Sequence, residues 1–240
     1  MAMHLLGGGW AEDESEWTGR FVEDARERAE GRPVIACVLW APTEDEGRKW
    51  HEDFRRDLER FDAEVRIVQL TPERQLEATD LGSVDGIFVG GGHTPGYHAA
   101  IMPAADTVRG LVASGMPYAG FSAGAMIAGD QALLGGWKIG GVPVVPESAS
   151  EGLEEVTVDA GLGLVDLVVD VHAAQEGTLS RAVAIVDAGL ADSAVAIDEL
   201  TSLIISPGGL HVAGRGSVWA VQAGEQGVAV SVLAPADREA

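Results

Sequence analysis

Ser122 stands in the run Ala119-Gly120-Phe121-Ser122-Ala123-Gly124-Ala125-Met126, between an apolar stretch from Met116 to Phe121 and a run of small residues leading to Met126, Ile127 and Ala128. The first stretch reads as a buried strand and the second as the start of a helix, so the serine falls on a strand-to-helix turn. Such a turn lifts the hydroxyl out of the sheet edge. Glycines at 120 and 124 let neighbouring backbone approach closely, and the amide of Ala123 can donate to a developing oxyanion. The chemistry that fits is attack on a carbonyl carbon. Small residues around a serine also suit a plain packing turn, so the reading depends on what can assist the hydroxyl.

A serine hydroxyl is a poor nucleophile at neutral pH and needs a base within hydrogen-bond reach. Of the six histidines, His172 is the first choice, because it follows the strand Val168-Val169-Asp170-Val171 and would emerge at the edge where Ser122 emerges. His93 sits directly after Gly90-Gly91-Gly92, a turn that follows the apolar Ile87 to Val89. An amide of Gly91 or Gly92 is the expected second oxyanion donor, with His93 placed to touch substrate, and Thr94 and Pro95 read as N-cap and first helical residue. His98, His51 and His211 read as packing or surface residues. A metal at His4, His93 and His98 would need a converging carboxylate, and none is identifiable, so no metal site is expected.

Three stretches taken together resemble a known family: Val89-Gly90-Gly91-Gly92-His93-Thr94, then Gly120-Phe121-Ser122-Ala123-Gly124-Ala125, then Gly161-Leu162-Gly163-Leu164 leading to Asp170-Val171-His172. They are similar to the S51 serine peptidases, which include aspartyl dipeptidase and cyanophycinase, over about residues 3 to 222. The resemblance implies a flavodoxin-like α/β/α sandwich akin to class I glutamine amidotransferases, with serine where those enzymes carry cysteine. It implies a catalytic histidine after a strand, the place of His172, and a triad carboxylate between serine and histidine. Glu147, midway between Ser122 and His172, is the first choice, Glu151 the second and Glu154 the third. Each is equally at home as a solvated acid of an acidic chain. One departure stands out: cyanophycinase-like members follow the histidine with an aromatic residue and several arginines, whereas only Arg181 remains here. With Lys138 and Arg181 the only cations near the proposed site, small peptides or amides with neutral or cationic side chains are the expected substrates, ahead of aspartyl ones.

The elements that must position these residues can be read from periodicity. Met3 to Leu6, ending in Gly7-Gly8-Gly9, is a first strand whose turn lacks the dinucleotide-binding spacing; Val34 to Trp40, Val65 to Leu70, Ile87 to Val89 and Leu164 to Val171 are further strands. Helical stripes run through Trp17, Phe21, Ala25 and Ala29, through Trp50, Phe54, Leu58 and Phe61, over Pro103 to Ser114, and through Leu179, Val183 and Val186. The second stripe leaves Arg55, Arg56, Asp57 and Glu59 on a solvated face. Residues 135 to 155, rich in glycine, proline and glutamate, read as an irregular functional loop, and the chain from Val195 as an antiparallel meander closing one sheet edge. Asp237 to Ala240 reads as a frayed tail. The alternation gives one α/β domain over residues 1–240 with a doubly wound, mainly parallel sheet, and the family resemblance implies that it is a three-layer flavodoxin-like sandwich.

The chain has 240 residues, with 38 acidic against 16 basic side chains and a formal charge of −22, which repels phosphate backbones and anionic lipid. Neither nucleic acid nor membrane is an expected partner; a homodimer is compatible with the sequence. With no 18-residue apolar run and no signal-peptide pattern at the start, the expected location is the cytoplasm. Cys37 reads as an inert core residue. The reading that follows is a serine hydrolase using Ser122, His172 and Glu147 without metal or organic cofactor. Two others compete: an α/β-hydrolase-type esterase with Asp198 and His211 as acid and base, and a catalytically idle amidotransferase-like domain that binds through the same cleft.

Overall fold

The computed structural model describes residues 2–235; the expected frayed tail, Asp237 to Ala240, lies outside the described residues. Strands β1 (Met3–Leu6), β2 (Val34–Trp40), β3 (Glu64–Leu70), β4 (Gly86–Val89) and β5 (Tyr118–Phe121) are parallel neighbours in the order β1-β5-β4-β2-β3. Helices α1 (Arg20–Arg26), α2 (Glu44–Glu59), α3 (Thr94–Ile101) and α4 (Ala105–Ala113) connect them. Successive strand side chains point to opposite faces, and both faces here are covered. Ile35, Cys37, Leu39 and Phe88 enter a core with Phe21, Phe54 and Leu58 of α1 and α2. Ala36, Val38, Ile87 and Val89 enter another with Tyr97, Ile101 and Val108 of α3 and α4. Fully burying a side chain such as Leu58 or Phe54 contributes roughly 1.5–3 kcal/mol, which ties α2 to the sheet.

After β5 the short α5 (Ala123–Met126) begins at once. The chain then forms an antiparallel pair, β6 (Gln131–Gly135) with β9 (Thr157–Ala160), enclosing the two-residue strands β7 (Lys138–Ile139) and β8 (Val142–Pro143). The expected irregular loop is therefore partly ordered as strands. Next come β10 (Val168–Val171), α6 (Leu179–Asp187), β11 (Ser193–Ile197), β12 (Thr201–Ser206), β13 (Gly209–Gly214), β14 (Val218–Gly224) and β15 (Gly227–Leu233).

The C-terminal strands are antiparallel as expected, but two sheets share them. β12 and β13 extend the large sheet beside β1, while β14 and β15 extend a second sheet founded on the parallel pair β10 and β11. The switch is made at residues 198 to 200. Asp198 accepts hydrogen bonds from the backbone N–H of Ala174 and Ser217 and from Trp219 Nε1, fixing the end of β11, and Leu200, at φ 56°, turns the chain back toward β1.

Two side chains of α2 depart from the helical stripe. Trp50, expected in the core, is 56% exposed, so the packed face begins at Phe54. Asp57, expected on the solvated face, is buried and accepts a hydrogen bond from Arg60. Cys37 is fully buried and free, with burial pushing its thiol pKa up. Among the described residues no helix is long and apolar enough to cross a membrane.

Candidate active site

The carboxyl ends of β1, β4, β5, β10 and β11 converge, so five turns from two sheets meet where α/β sheets bind ligands. Ser122 follows β5 directly at φ 51° and ψ −109°, a left-handed conformation that costs a serine of order 1–3 kcal/mol and persists only where its surroundings impose it. Here the Ser122 N–H donates to Leu6 O at 2.9 Å, and Gly124 N–H donates to Gly90 O at 3.1 Å, clamping both sides of the elbow. Glycine is required on either side: a Cβ on Gly120 would lie 2.3 Å from Gly124 O, and one on Gly124 2.3 Å from Val89 O.

The hydroxyl of Ser122 lies 2.9 Å from His172 Nε2. His172, also at positive φ (56°), is held by its own N–H donating to Gly7 O at 3.3 Å and presents Nδ1 to Glu199 Oε1 at 2.8 Å. Glu199 in turn donates its N–H to Gln175 Oε1 at 2.9 Å. Serine, imidazole and carboxylate thus form one continuous chain, in which a neutral imidazole with its proton on Nδ1 leaves Nε2 free to accept from the hydroxyl. Gly8 forms the floor: a Cβ there would come within 2.3 Å of His172 Cε1.

The N–H groups of Ala123, Gly91 and Gly92 donate to no acceptor among the described residues. Gly90 O is taken by Gly124 N–H and Gly91 O by the Tyr97 hydroxyl at 3.1 Å, which orients the two peptides so that their N–H groups point away from those contacts. Gly91 packs against the elbow, where a Cβ would sit 2.9 Å from Ser122 Cβ. Fixed, unpaired amides beside a serine hydroxyl are arranged as an oxyanion hole requires.

The family model of peptidase family S51 matches residues 5–213, which spans every residue of this constellation. The chain belongs to peptidase family S51. The solved structure of a candidate peptidase E protein from Listeria monocytogenes EGD-e, at 17% identity, is similar over 97% of this chain and 98% of that one with a TM-score of 0.52, a likeness of fold. No curated protein matches the chain. Family membership supports a serine peptidase.

In this S51 member the carboxylate against the histidine is Glu199, which departs from the expectation of Glu147. Glu147 opens a short turn, Glu147–Ala149, and is exposed there. Glu151 accepts from the Thr94 N–H at 3.2 Å and the Thr94 hydroxyl at 3.3 Å; burial raises its pKa, opposed by those hydrogen bonds and by His93. Glu154 is exposed and paired with Lys138 at 2.7 Å. Sequence reasoning overlooked Glu199 because Asp198-Glu199 reads as a turn; the available signal was a pair of acids directly after the apolar run Val195 to Ile197, at the carboxyl end of a strand.

His93, not Thr94, caps α3, its Nδ1 accepting from Gly96 N–H at 3.1 Å while its ring packs on Trp40 with centroids 5.4 Å apart. His98 contacts Ala160 O and His4 contacts Asp24, and among the described residues no three His, Cys, Asp or Glu side chains converge on a metal position. Arg181, expected near substrate, is buried in a two-bond pair with Asp170, both 2.8 Å, and also donates to Gly136 O and Ala149 O. It pins the excursion between β6 and β9 to β10. Asp198 is occupied by backbone and Trp219 donors, and His211 lies exposed on β13, so these two do not form an acid–base pair.

Proposed function

We propose that this chain hydrolyses a peptide or amide bond in a small substrate by acyl transfer through Ser122. His172 takes the hydroxyl proton as Ser122 attacks the carbonyl, then gives it to the departing nitrogen. Water, activated by the same imidazole, releases the acyl group. Glu199 holds the imidazole in the tautomer that accepts at Nε2 and balances the imidazolium charge. The amides of Ala123 and of Gly91 or Gly92 receive the oxyanion. The single observation that carries this reading is the unbroken chain Ser122–His172–Glu199, at 2.9 and 2.8 Å, on a strained elbow. An idle binding domain would have no use for a serine held at positive φ against a histidine. Since strand ends from both sheets supply the site, the reading also takes residues 1–240 as one working domain.

The test is covalent labelling by a fluorophosphonate probe. The wild-type chain is expected to label at Ser122, with labelling and turnover lost in both Ser122→Ala and His172→Ala, turnover by about 10⁴-fold or more. Labelling that survives in a folded Ser122→Ala protein would sink the assignment.

A further inference from the structure

A cleft of about 740 Å³ opens beside Ser122, and its walls are aromatic: Trp10, Trp40, Trp50, Phe54 and Phe121. Trp10 packs on Phe54 and Phe121 with ring centroids 4.9 and 5.0 Å apart, so these three rings form one connected surface. Yet Trp10 is 42% exposed and Trp50 56% exposed, which leaves large apolar rings facing water at the mouth of the site. Exposed tryptophans gathered around a concave surface are a feature of binding sites, where ligand contact removes them from water.

We propose that this cleft receives the side chain on the acyl side of the scissile bond and selects a bulky aromatic or aliphatic residue there, a proposal that rests on Ser122 being the nucleophile. The side is fixed by geometry. The cleft is lined by Ser122, Gly91 and Gly92, the nucleophile and the oxyanion turn, but by neither His172 nor Glu199. Because the imidazole delivers its proton to the leaving nitrogen, the leaving group must lie on the imidazole side, and the opposite side holds the acyl residue. The chemistry is set by what the walls lack. No arginine lines the cleft, Arg181 is committed to Asp170, and Lys138 to Glu154. Lys49 is the one cation in the lining and shares it with Glu46, so an aspartyl carboxylate would be desolvated against rings without a two-pronged partner.

The experiment compares kcat/KM on Phe-Leu, Trp-Leu, Ala-Leu and Asp-Leu alongside fluorophosphonate labelling, and measures binding of the same dipeptides to Ser122→Ala by tryptophan fluorescence. Phe-Leu and Trp-Leu are expected to exceed Asp-Leu by about 30-fold or more and to bind Ser122→Ala more tightly. Trp50→Ala, at a position 56% exposed, is expected to lower Phe-Leu turnover about tenfold while Ala-Leu changes less than about threefold, and Trp50→Phe restores most of the loss. A merely structural Trp50 would lower both substrates alike, which counts against the proposal. Normal labelling of Ser122 together with a preference for Asp-Leu, lost in Lys49→Met, overturns the pocket assignment and leaves the nucleophile standing. Absence of both labelling and hydrolysis overturns the nucleophile reading, and this proposal with it.

Discussion

Replacing Glu199 by glutamine keeps the shape of the group against His172 and removes its charge. In the transition state the imidazole is protonated, and with Oε1 2.8 Å from Nδ1 the charge centres are about 4 Å apart. At that separation a unit pair is worth about 1 kcal/mol in water and about 4 kcal/mol at the effective dielectric of a protein surface. Glu199 is 32% exposed and His172 20% exposed at the side chain, so the environment lies between these limits. A loss of about 2–3 kcal/mol follows, or about 30- to 150-fold in kcat. An amide can also donate to Nδ1 and hold the imidazole in the tautomer that cannot accept from Ser122, which carries the expected loss to about 10²–10³-fold. Because Glu199 touches His172 and not the cleft, KM is expected to change by less than about threefold. The control is Glu147→Gln, an exposed position, expected to stay within about twofold of wild type. Steady-state kinetics on the best dipeptide, with folding checked by circular dichroism, decides it: a Glu199→Gln enzyme with more than half the wild-type kcat, or a large loss in Glu147→Gln, refutes the assignment.

Gly8→Ala places a methyl group 2.3 Å from His172 Cε1 at a φ of +93°, so the imidazole must move; activity is expected to fall about 100-fold, against no change for Gly31→Ala, where a Cβ meets nothing within 4 Å. Arg181→Gln leaves the Asp170 carboxylate buried without its charge partner and is expected to destabilise the fold by about 3–5 kcal/mol in urea titrations; a stable protein with altered substrate choice would show that Arg181 serves the substrate instead. Burial, reinforced by Glu14, pushes the Asp57 pKa up to about 6 in spite of Arg60. Folding therefore favours the protonated form, and the stability this group contributes is complete below its unfolded value near 4 and lost as pH rises through about 6. Relative to Asp57→Asn, the wild-type chain should lose about 2 kcal/mol between pH 4 and pH 7, and a pH-independent difference would show that Asp57 is more hydrated than its burial implies.

Local order was legible in the sequence wherever neighbours along the chain create the constraint. The elbow at Ser122 is such a case, because Gly120 and Gly124 are the residues whose smallness the turn demands. The strand endings before Gly91 and before His172 are others, since an apolar run followed by a turn marks a sheet edge whichever strand lies beside it. The three-stretch resemblance rests on the same turns, and the match over residues 5–213 confirms the family they suggested. Trp50 and Asp57 escaped because helical periodicity gives the face of a helix but not where the neighbouring surface ends. Trp50 lines the cleft and stays exposed there, and Asp57 pairs with Arg60, which also reaches Glu14.

The sequence by itself determined the turn that carries Ser122, the glycine-rich turn beside it, the strand before His172 and the alternating α/β pattern, since each is written in side-chain size and period within a few residues. Which carboxylate meets His172 was decided only by tertiary structure. Glu199 reaches the imidazole because β10 and β11 pair in parallel in a second sheet, with Val171 beside Ile197, and because Gly7 and Gly8 of β1's turn bind the backbone of His172 and Leu200 from the first sheet. The aromatic cleft arises likewise from residues on β1's turn, β2, α2 and β5. Contacts of this kind join chain segments far apart in sequence, and no local pattern records them, because what fixes them is the register and packing of whole strands.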